Sequence, residues 1–196
     1  TVISATQTGN ALTDLDGDGD VDVISSANDI SQLAWLQNDG SGNLADSPIS
    51  LFNTGLVTAE DVDGDGDMDL IASYSDSDDV SWFENDDSEN FTKQVIQPPI
   101  GQQTDESLFA LDFDLDGDID VLTSKFENPD IVWYENDGSE NFTRNVITSF
   151  AENGLNKVYP IDVDSDGDID FLNNYEFTNE ISWYENDGFQ SFTQYV

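Results

Sequence analysis

One nine-residue pattern, Asp-x-Asp-x-Asp-Gly-Asp-x-Asp, occurs four times in this chain at nearly even spacing. The copies occupy residues 14–22, 61–69, 112–120 and 162–170. Each copy places five carboxylates within nine residues. Two carboxylates about 4 Å apart repel by roughly 1 kcal/mol even in water, and by several times that near a protein surface. Without a cation such a loop should be splayed or partly protonated, so the pattern predicts four cation sites.

Calcium suits this donor set best. It accepts about six to eight oxygen ligands in flexible geometry, whereas magnesium demands a tight octahedron and keeps several waters. Zinc and copper are poor candidates, because the chain has no His and no Cys. A single acidic stretch would also suit a solvated turn, but four copies in register favour bound metal. We therefore expect about four Ca²⁺ ions per chain.

An EF-hand also begins Asp-x-Asp-x-Asp-Gly, but it needs a Glu at position twelve and flanking helices. Position twelve is Ser25, Ala72, Thr123 or Asn173 in the four copies. The flanking residues predict strands. The sequence therefore favours a β-type calcium loop over an EF-hand.

Two markers show that the pattern belongs to a longer repeat. The first Asp of each copy recurs after 47, 51 and 50 residues, and a Trp follows each copy with the same steps. These residues are Trp35, Trp82, Trp133 and Trp183. We expect one repeat domain over residues 1–196, with repeats at about 1–47, 48–96, 97–147 and 148–196.

Within a repeat the pattern predicts strands. A short run with period-two alternation and β-branched residues follows each Asp loop, as in residues 119–123. The Trp segment and a Phe-Thr segment come next, separated by an Asn-Asp turn signal. A fourth run, such as residues 108–111, leads into the next loop. Four short antiparallel strands per repeat predict an all-β, β-propeller-type fold of four blades, with one calcium loop per blade.

These motifs resemble the FG-GAP/VCBS-type calcium-binding β-propeller repeats of bacterial surface proteins and, more distantly, of integrin α-chains. The resemblance covers essentially the whole chain. It implies that side chains at positions one, three, five and nine of each loop coordinate calcium, together with the backbone carbonyl of position seven. The implied side-chain ligands are Asp14, Asp16, Asp18, Asp22, Asp61, Asp63, Asp65, Asp69, Asp112, Asp114, Asp116, Asp120, Asp162, Asp164, Asp166 and Asp170. The implied carbonyl ligands belong to Asp20, Asp67, Asp118 and Asp168, whose side chains then add charge around the ion.

Composition excludes several functions. The 43 acidic residues against 4 basic ones give a formal charge of −39, and four calcium ions would still leave about −31. Nucleic acid and anionic membranes would be repelled by that field. The longest apolar runs are far below membrane-spanning length, so we expect no membrane insertion. Catalysis has little support, because saturated Asp cages offer neither an open metal position nor a positioned base. We therefore expect a protein that is not an enzyme.

Several other residues have two readings each. The four Trp side chains suit core packing between sheets better than a sugar-stacking platform. Asn90 and Asn141 begin Asn-Phe-Thr sequons, where turn chemistry competes with glycosylation. Three glutamates before the turns suit solvated carboxylates better than catalytic acids. They are Glu84, Glu135 and Glu185.

Two function classes remain open. The first is an extracellular or cell-surface structural or adhesion module, because weak repetitive sites are filled at extracellular calcium levels. Its exposed blade faces would favour protein partners or self-assembly, either of two copies into a larger ring or of many copies into a filament. A compact ring made by the four blades of one chain is the simplest alternative. The second is a carbohydrate-binding module, which would use the loops at 97–107 and 148–157 and aromatic residues such as Phe150 or Tyr175.

Overall fold

The computed structural model describes residues 9–26, 32–52, 54–74, 79–86, 88, 90–97, 105–125, 130–149, 156–175 and 180–196. These residues form strands and turns. In this part of the chain no helix has the length and apolar character needed to cross a membrane. The proposed sugar-binding loops fall largely outside the described residues, as do Phe150 and the side chain of Tyr175.

The chain divides into two compact units, Thr1–Gln102 and Gln103–Val196. The described strands of the first unit are β1 (Gly9–Thr13), β2 (Asp22–Ser26), β3 (Gln32–Asn38), β4 (Leu44–Phe52), β5 (Thr54–Glu60), β6 (Asp69–Tyr74), β7 (Val80–Asn85) and β8 (Phe91–Gln97). Those of the second are β9 (Asp105–Leu111), β10 (Asp120–Lys125), β11 (Asp130–Asn136), β12 (Phe142–Ser149), β13 (Asn156–Ile161), β14 (Asp170–Tyr175), β15 (Glu180–Asn186) and β16 (Phe192–Tyr195). The expectation of one domain over residues 1–196 stays a prediction.

Each sheet is an antiparallel meander of four consecutive strands. The sheets run β1 to β4, β5 to β8, β9 to β12 and β13 to β16, and each corresponds to one sequence repeat. We number these sheets as blades 1 to 4. The first two blades meet between residues 52 and 54, a few residues beyond the approximate sequence boundary at 47. The prediction of an all-β, β-propeller-type fold with four blades of four strands is confirmed.

The core of the first unit lies between blades 1 and 2. Directly opposed residues of neighbouring strands project from the same face of a sheet. Ile24, Leu33 and Trp35 share one face of blade 1 and pack against Leu70 and Phe83 of blade 2. We call the face that carries the Trp of the third strand the Trp face, and the opposite face the back face. In this unit, therefore, the Trp face of one blade is covered by the back face of the next.

The second unit repeats this arrangement. Leu122 and Trp133 on the Trp face of blade 3 pack with Phe171 and Tyr184 on the back face of blade 4. The rings of Phe171 and Tyr184 stack with their centroids 4.7 Å apart. Burying one such large apolar side chain contributes roughly 1.5–3 kcal/mol. Because the middle strands are apolar on both faces, one blade gains this free energy by packing against the next.

Candidate metal centres

The four acidic patterns form the loops between the first and second strands of each blade. In blade 1 the chain leaves β1 at Thr13 and enters β2 at Asp22. Position six is Gly in every copy, with φ between +98° and +105°. Position four is also in the left-handed region, although only the first two copies have Gly there; Leu115 and Ser165 take this position in the last two, with φ of +63° and +67°. Only Gly adopts such backbone without a steric cost, which explains the repeated Gly.

This backbone turn brings the carboxylates of each loop together. In every loop, ligand-type oxygens of three Asp residues lie within 4.8 Å of one another. The first and third loops combine positions one, three and five, and the second and fourth combine positions one, three and nine. The groups are Asp14, Asp16 and Asp18; Asp61, Asp63 and Asp69; Asp112, Asp114 and Asp116; and Asp162, Asp164 and Asp170. Three of the four side-chain positions implied by the resemblance thus cluster in each loop, while calcium ligation itself stays a prediction.

Position nine is the buried anchor of each loop. Asp22, Asp69, Asp120 and Asp170 are fully buried. In blade 1 the backbone N–H of Asn38 donates to Oδ1 of Asp22 at 2.7 Å, and Nε1 of Trp35 donates to Oδ2 at 2.9 Å. The Trp183 indole donates to Asp170 in the same way, at 3.0 Å. In blades 1 and 4 the Trp therefore orients a loop carboxylate.

The Asn that begins each Asn-Asp turn is a further loop-binding residue, which the sequence reading missed. Besides donating its backbone N–H to position nine, it donates its side-chain amide to the carbonyl of position eight. In blade 3 these bonds join Asn136 to Asp120 at 2.8 Å and to Ile119 at 3.2 Å. Blades 1, 2 and 4 make the same two bonds through Asn38, Asn85 and Asn186. The signal was the fixed place of this Asn after each Trp.

Several loop oxygens are buried and lack a hydrogen-bond donor. Oδ2 of Asp112 accepts from the backbone N–H of Gly117 at 3.1 Å, but its Oδ1 is buried without a partner. Oδ1 of Asp14 and Oδ1 of Asp114 are in the same state. A buried carboxylate oxygen without a donor or cation is energetically costly. A set of clustered carboxylate oxygens, some without a donor, is the chemistry that Ca²⁺ accepts, so the residues present fit this ion.

The pKa values of the loop carboxyls show that clustered negative charge is unfavourable in these loops. At position three, burial together with repulsion from neighbouring carboxylates raises the pKa of Asp16, Asp63, Asp114 and Asp164 above the usual Asp value. At position nine, burial raises the pKa of Asp69 to about 6 and that of Asp120 to about 7, despite hydrogen bonds from backbone N–H groups. In the metal-free protein the carboxyls of Asp69 and Asp120 therefore keep a proton to a higher pH than an ordinary Asp.

Carboxylates in the neighbouring Asn-Asp turns behave in the opposite way. The side-chain amide of Asn43 and nearby backbone N–H groups lower the pKa of Asp39. Asn90 does the same for Asp86, and the backbone N–H of Ser139, with Asn141, for Asp137. These turns supply their own donors and need no cation. The contrast separates the metal-type carboxylates from ordinary turn carboxylates within one acidic chain.

The side chain at position seven lies outside the clusters and contacts the turn instead. A Cβ added to Gly40 would clash with Oδ2 of Asp20, and Gly138 and Gly188 are covered in the same way by Asp118 and Asp168. These glycines have φ near +70°, so they serve both the turn and the close approach of the loop. The role implied for the position-seven carbonyl stays a prediction.

The other residues with two readings are placed as follows. Trp35, Trp82 and Trp133 are buried, which confirms core packing for them, whereas Trp183 is partly exposed and stacks on Tyr195. The amide groups of Asn90 and Asn141 donate to the turn carboxylates Asp86 and Asp137, as turn chemistry predicts. The three glutamates before the turns lie at intermediate exposure.

A separate cleft of about 260 Å³ opens in the second unit. Trp133, Asn145, Val146 and Ile147 of blade 3 line one side, and Gln190 and Phe192 of blade 4 line the other. Its walls combine aromatic rings with amide groups. None of the carboxylates of the acidic loops lines it.

Comparison with known proteins gives one family and a fold. A family model described as an FG-GAP-like repeat matches residues 14–72, 61–123 and 112–173, so each match starts at the first Asp of a loop. No curated protein sequence matches the chain.

Two solved structures share the fold over nearly the whole chain. One is a lectin from Agrocybe aegerita, described as recognising non-reducing terminal N-acetylglucosamine, with 17% identity and a TM-score of 0.66 over 97% of this chain and 52% of that one. The other is a protein from Lactobacillus plantarum, with 13% identity and a TM-score of 0.63 over 99% of this chain and 56% of that one. The chain spans about half the length of these two structures.

Proposed function

Because this chain belongs to the FG-GAP-like repeat family, we propose that it is a non-enzymatic calcium-binding module that acts outside the cell or on its surface. In each blade the acidic loop holds one Ca²⁺ ion, which stiffens the connection between the first two strands. The rigid blades then serve structure or adhesion by binding protein partners or other copies of the chain. This is a binding function, with no chemical step.

One observation carries the calcium proposal. The loop carboxylates cluster within 4.8 Å, and several of their buried oxygens lack any donor, whereas the turn carboxylates a few residues away are fully supplied with N–H groups. If hydrogen bonds alone stabilised these carboxylates, the loop carboxylates should have as many donors as the turn carboxylates. When bound, calcium would neutralise the repulsion and provide the missing partner for these oxygens.

The residues of the loop divide this task. Positions one, three and five present carboxylates from the loop itself. The Asn-Asp turn of the same blade holds the position-nine carboxylate in place. The binding site therefore forms only when the second and third strands are correctly paired. Ion binding is therefore coupled to the folding of the blade, because an unfolded loop does not assemble these oxygens.

Titration calorimetry of the metal-free chain tests the proposal. We expect about four Ca²⁺ ions per chain and much weaker binding of Mg²⁺, because magnesium requires stricter geometry. The variant Asp46→Asn serves as a control, because it removes one carboxylate that is exposed and lies outside the loops. This control should bind the same number of ions. Absence of calcium binding at millimolar concentration would overturn the proposal.

A second candidate is a carbohydrate-binding module, which the cleft beside Trp133 favours. Sugar sites combine aromatic faces with amide groups, and Phe192, Asn145 and Gln190 supply both. One structure with this fold is that of a lectin, although the low identity supports the fold alone. Glycan-array binding that is lost in Gln190→Ala and kept in Gln194→Ala, which lies outside the cleft lining, would favour this candidate. Lack of binding to any glycan would leave the structural role.

A further inference from the structure

The acidic loop of blade 1 is hydrogen-bonded to blade 2. The side-chain amide of Asn85, at the end of β7 in blade 2, donates to the backbone carbonyl of Leu15 at 3.2 Å, although the two residues lie 70 apart in sequence. Leu15 is position two of the blade 1 loop and exposes 2% of its surface, and Asn85 exposes 5%. Breaking a bond between groups this buried leaves a polar group without a partner, which is costly. The bond is therefore a firm contact between one loop and the next blade.

Asn85 also holds the acidic loop of its own blade. Its backbone N–H donates to Oδ1 of Asp69 at 2.8 Å, and its side-chain amide donates to the carbonyl of Met68 at 3.2 Å. Asp69 is one of the three clustered carboxylates of the blade 2 loop. A single residue thus binds position two of the first loop and positions eight and nine of the second.

Leu15 lies between two of the clustered carboxylates of blade 1. Asp14 and Asp16 flank it in sequence, and both belong to the acidic group of this loop. The carbonyl of Leu15 and the N–H of Asp16 belong to one peptide plane, which rotates as a unit. On its other side, the N–H of Leu15 donates to Oδ2 of Asp22 at 3.3 Å. The bond from Asn85 therefore fixes the orientation of the peptide from which the Asp16 carboxylate extends.

We propose that Asn85 couples the calcium sites of blades 1 and 2, so that filling either site raises the calcium affinity of the other. The proposal rests on the calcium function given above and adds a positioning residue that two sites share. An ordered blade 2 loop holds Asp69 against the backbone of Asn85, and the amide of Asn85 then orients the peptide after Leu15. The coupling acts in both directions, because linkage between two binding equilibria is reciprocal.

The second unit joins its loop to the next blade in a different way. Phe113 takes the position of Leu15 in the blade 3 loop, and its ring stacks on Phe192 of blade 4 with centroids 6.0 Å apart. Asn186 is the equivalent of Asn85, and the hydrogen bonds that the structure describes for it stay within blade 4. Asn186 therefore offers a matched comparison for a variant at Asn85.

Long-range charge predicts a coupling of the opposite sign. A filled loop is less negative than an empty one, so filling the blade 1 loop reduces the attraction of a second cation to the blade 2 loop. In about 0.15 M salt this effect is weakened, because the Debye length is about 8 Å. A raised affinity therefore cannot arise from the field of the neighbouring loop. It would have to come from the ordering that the shared contact provides.

Nuclear magnetic resonance of the whole chain follows each loop separately during a calcium titration. In each loop the backbone N–H of the position-six Gly donates to the position-one carboxylate. The bond joins Gly19 to Asp14 at 2.8 Å in blade 1 and Gly66 to Asp61 at 3.1 Å in blade 2. An ion bound by that carboxylate shifts the amide signal, so the midpoint of the shift measures the affinity of one site. Gly167 gives the same measurement for blade 4.

Removing one ligand from either loop tests whether the two sites are coupled. Coupling of about 5- to 150-fold is typical, and two equal sites that fill together share it. With Asp16→Asn in blade 1 we therefore expect the Gly66 midpoint to move to at least about twofold higher calcium. Asp63→Asn in blade 2 should move the Gly19 midpoint by a similar factor. The Gly167 midpoint should stay constant in both variants.

Asn85→Ala tests the shared residue itself. This variant keeps the backbone N–H that holds Asp69 and removes only the side-chain amide. In the Asn85→Ala chain, adding Asp16→Asn should leave the Gly66 midpoint unchanged. Asn186→Ala is the matched control and should preserve the effect of Asp16→Asn. A general loss of stability would shift the midpoints with and without Asp16→Asn alike, so it would not abolish their ratio.

Three results would overturn the coupling and leave the calcium function standing. The first is a Gly66 midpoint that Asp16→Asn does not change in the otherwise wild-type chain. The second is a movement to lower calcium, which would show that charge dominates. The third is a coupling that persists in Asn85→Ala, as the packing of Leu15 against blade 2 could provide. Amide signals that calcium shifts in none of the loops would instead overturn the calcium function, and the coupling with it.

Discussion

At the scale of residues, aspartate has two roles in this protein, and the difference lies in the donors around it. Asp39 sits beside backbone N–H groups and an Asn amide, which stabilise its charge and lower its pKa. Asp114 sits among other carboxylates, with a buried oxygen that has no donor, and its pKa is raised. The same side chain is therefore self-sufficient in the turns and dependent on a cation in the loops.

The raised pKa values predict how the metal-free protein responds to pH. Burial raises the pKa of Asp69 to about 6 and that of Asp120 to about 7, above about 3.9 for an unfolded chain. Between these values the folded state holds protons that the unfolded state has released, so stability falls as the pH rises from about 4 to about 7. Thermal unfolding in excess chelator should give a lower melting temperature at about pH 8 than at about pH 5. A rise over that interval would show that these carboxyls are not protonated in the folded loop.

Backbone conformation in the loop gives a second prediction at this scale. Gly117→Ala places a Cβ at φ of +103°, where nothing lies within 4 Å, so its cost comes from the backbone and should be about 1–2 kcal/mol. Leu115→Gly relieves a left-handed residue two positions earlier and should raise stability by up to about 1 kcal/mol. Urea unfolding in calcium measures both values. Equal losses in the two variants would contradict the strain argument.

At the scale of elements, each loop is coupled to the turn at the end of the third strand. The buried position-nine carboxylate accepts the N–H of the Asn that begins that turn, and the position-seven side chain lies over the turn glycine. The spacing of the motifs predicted both the loop and the turn. It did not predict their contact, because the residues involved lie 16 apart in sequence and meet only through antiparallel pairing of the strands.

One substitution distinguishes a loop carboxylate that binds calcium from one that only makes contacts within the protein. Asp114→Asn should reduce the calcium stoichiometry by one and lower the melting temperature in calcium. In excess chelator it should raise the melting temperature, because it removes a charge from a group of repelling carboxylates. Asp46→Asn is the control and should change neither. A loss of stability in both conditions would indicate that the carboxylate acts through protein contacts alone.

At the scale of the whole molecule, the number of strands and their assignment to blades could be predicted from the repeat period and the turn signals. The pairing of a Trp face with the next back face could not. Both faces of the middle strands are apolar in sequence, so nothing in the pattern says which neighbour covers which face. Equivalent residues such as Ile131 and Ile181 therefore differ in burial although they hold the same position in the repeat.

The net charge also acts at this scale. With −39 formal charges and few basic residues, the chain has little internal means of neutralising its acidic loops. Ions that bind the folded state alone stabilise it by about 1.4 kcal/mol per site when free calcium is tenfold above the dissociation constant. Four equivalent sites would then contribute roughly 6 kcal/mol, which is comparable with the whole stability of an ordinary domain. Calcium is therefore expected to decide whether the blades are folded at working temperature.

The most direct test of calcium-dependent folding is the melting temperature of the chain measured at increasing free calcium and in excess chelator. The structure predicts a rise of roughly 10 °C or more between chelator and saturating calcium, with magnesium giving a much smaller rise. A melting curve that is the same in chelator and in millimolar calcium would contradict the account.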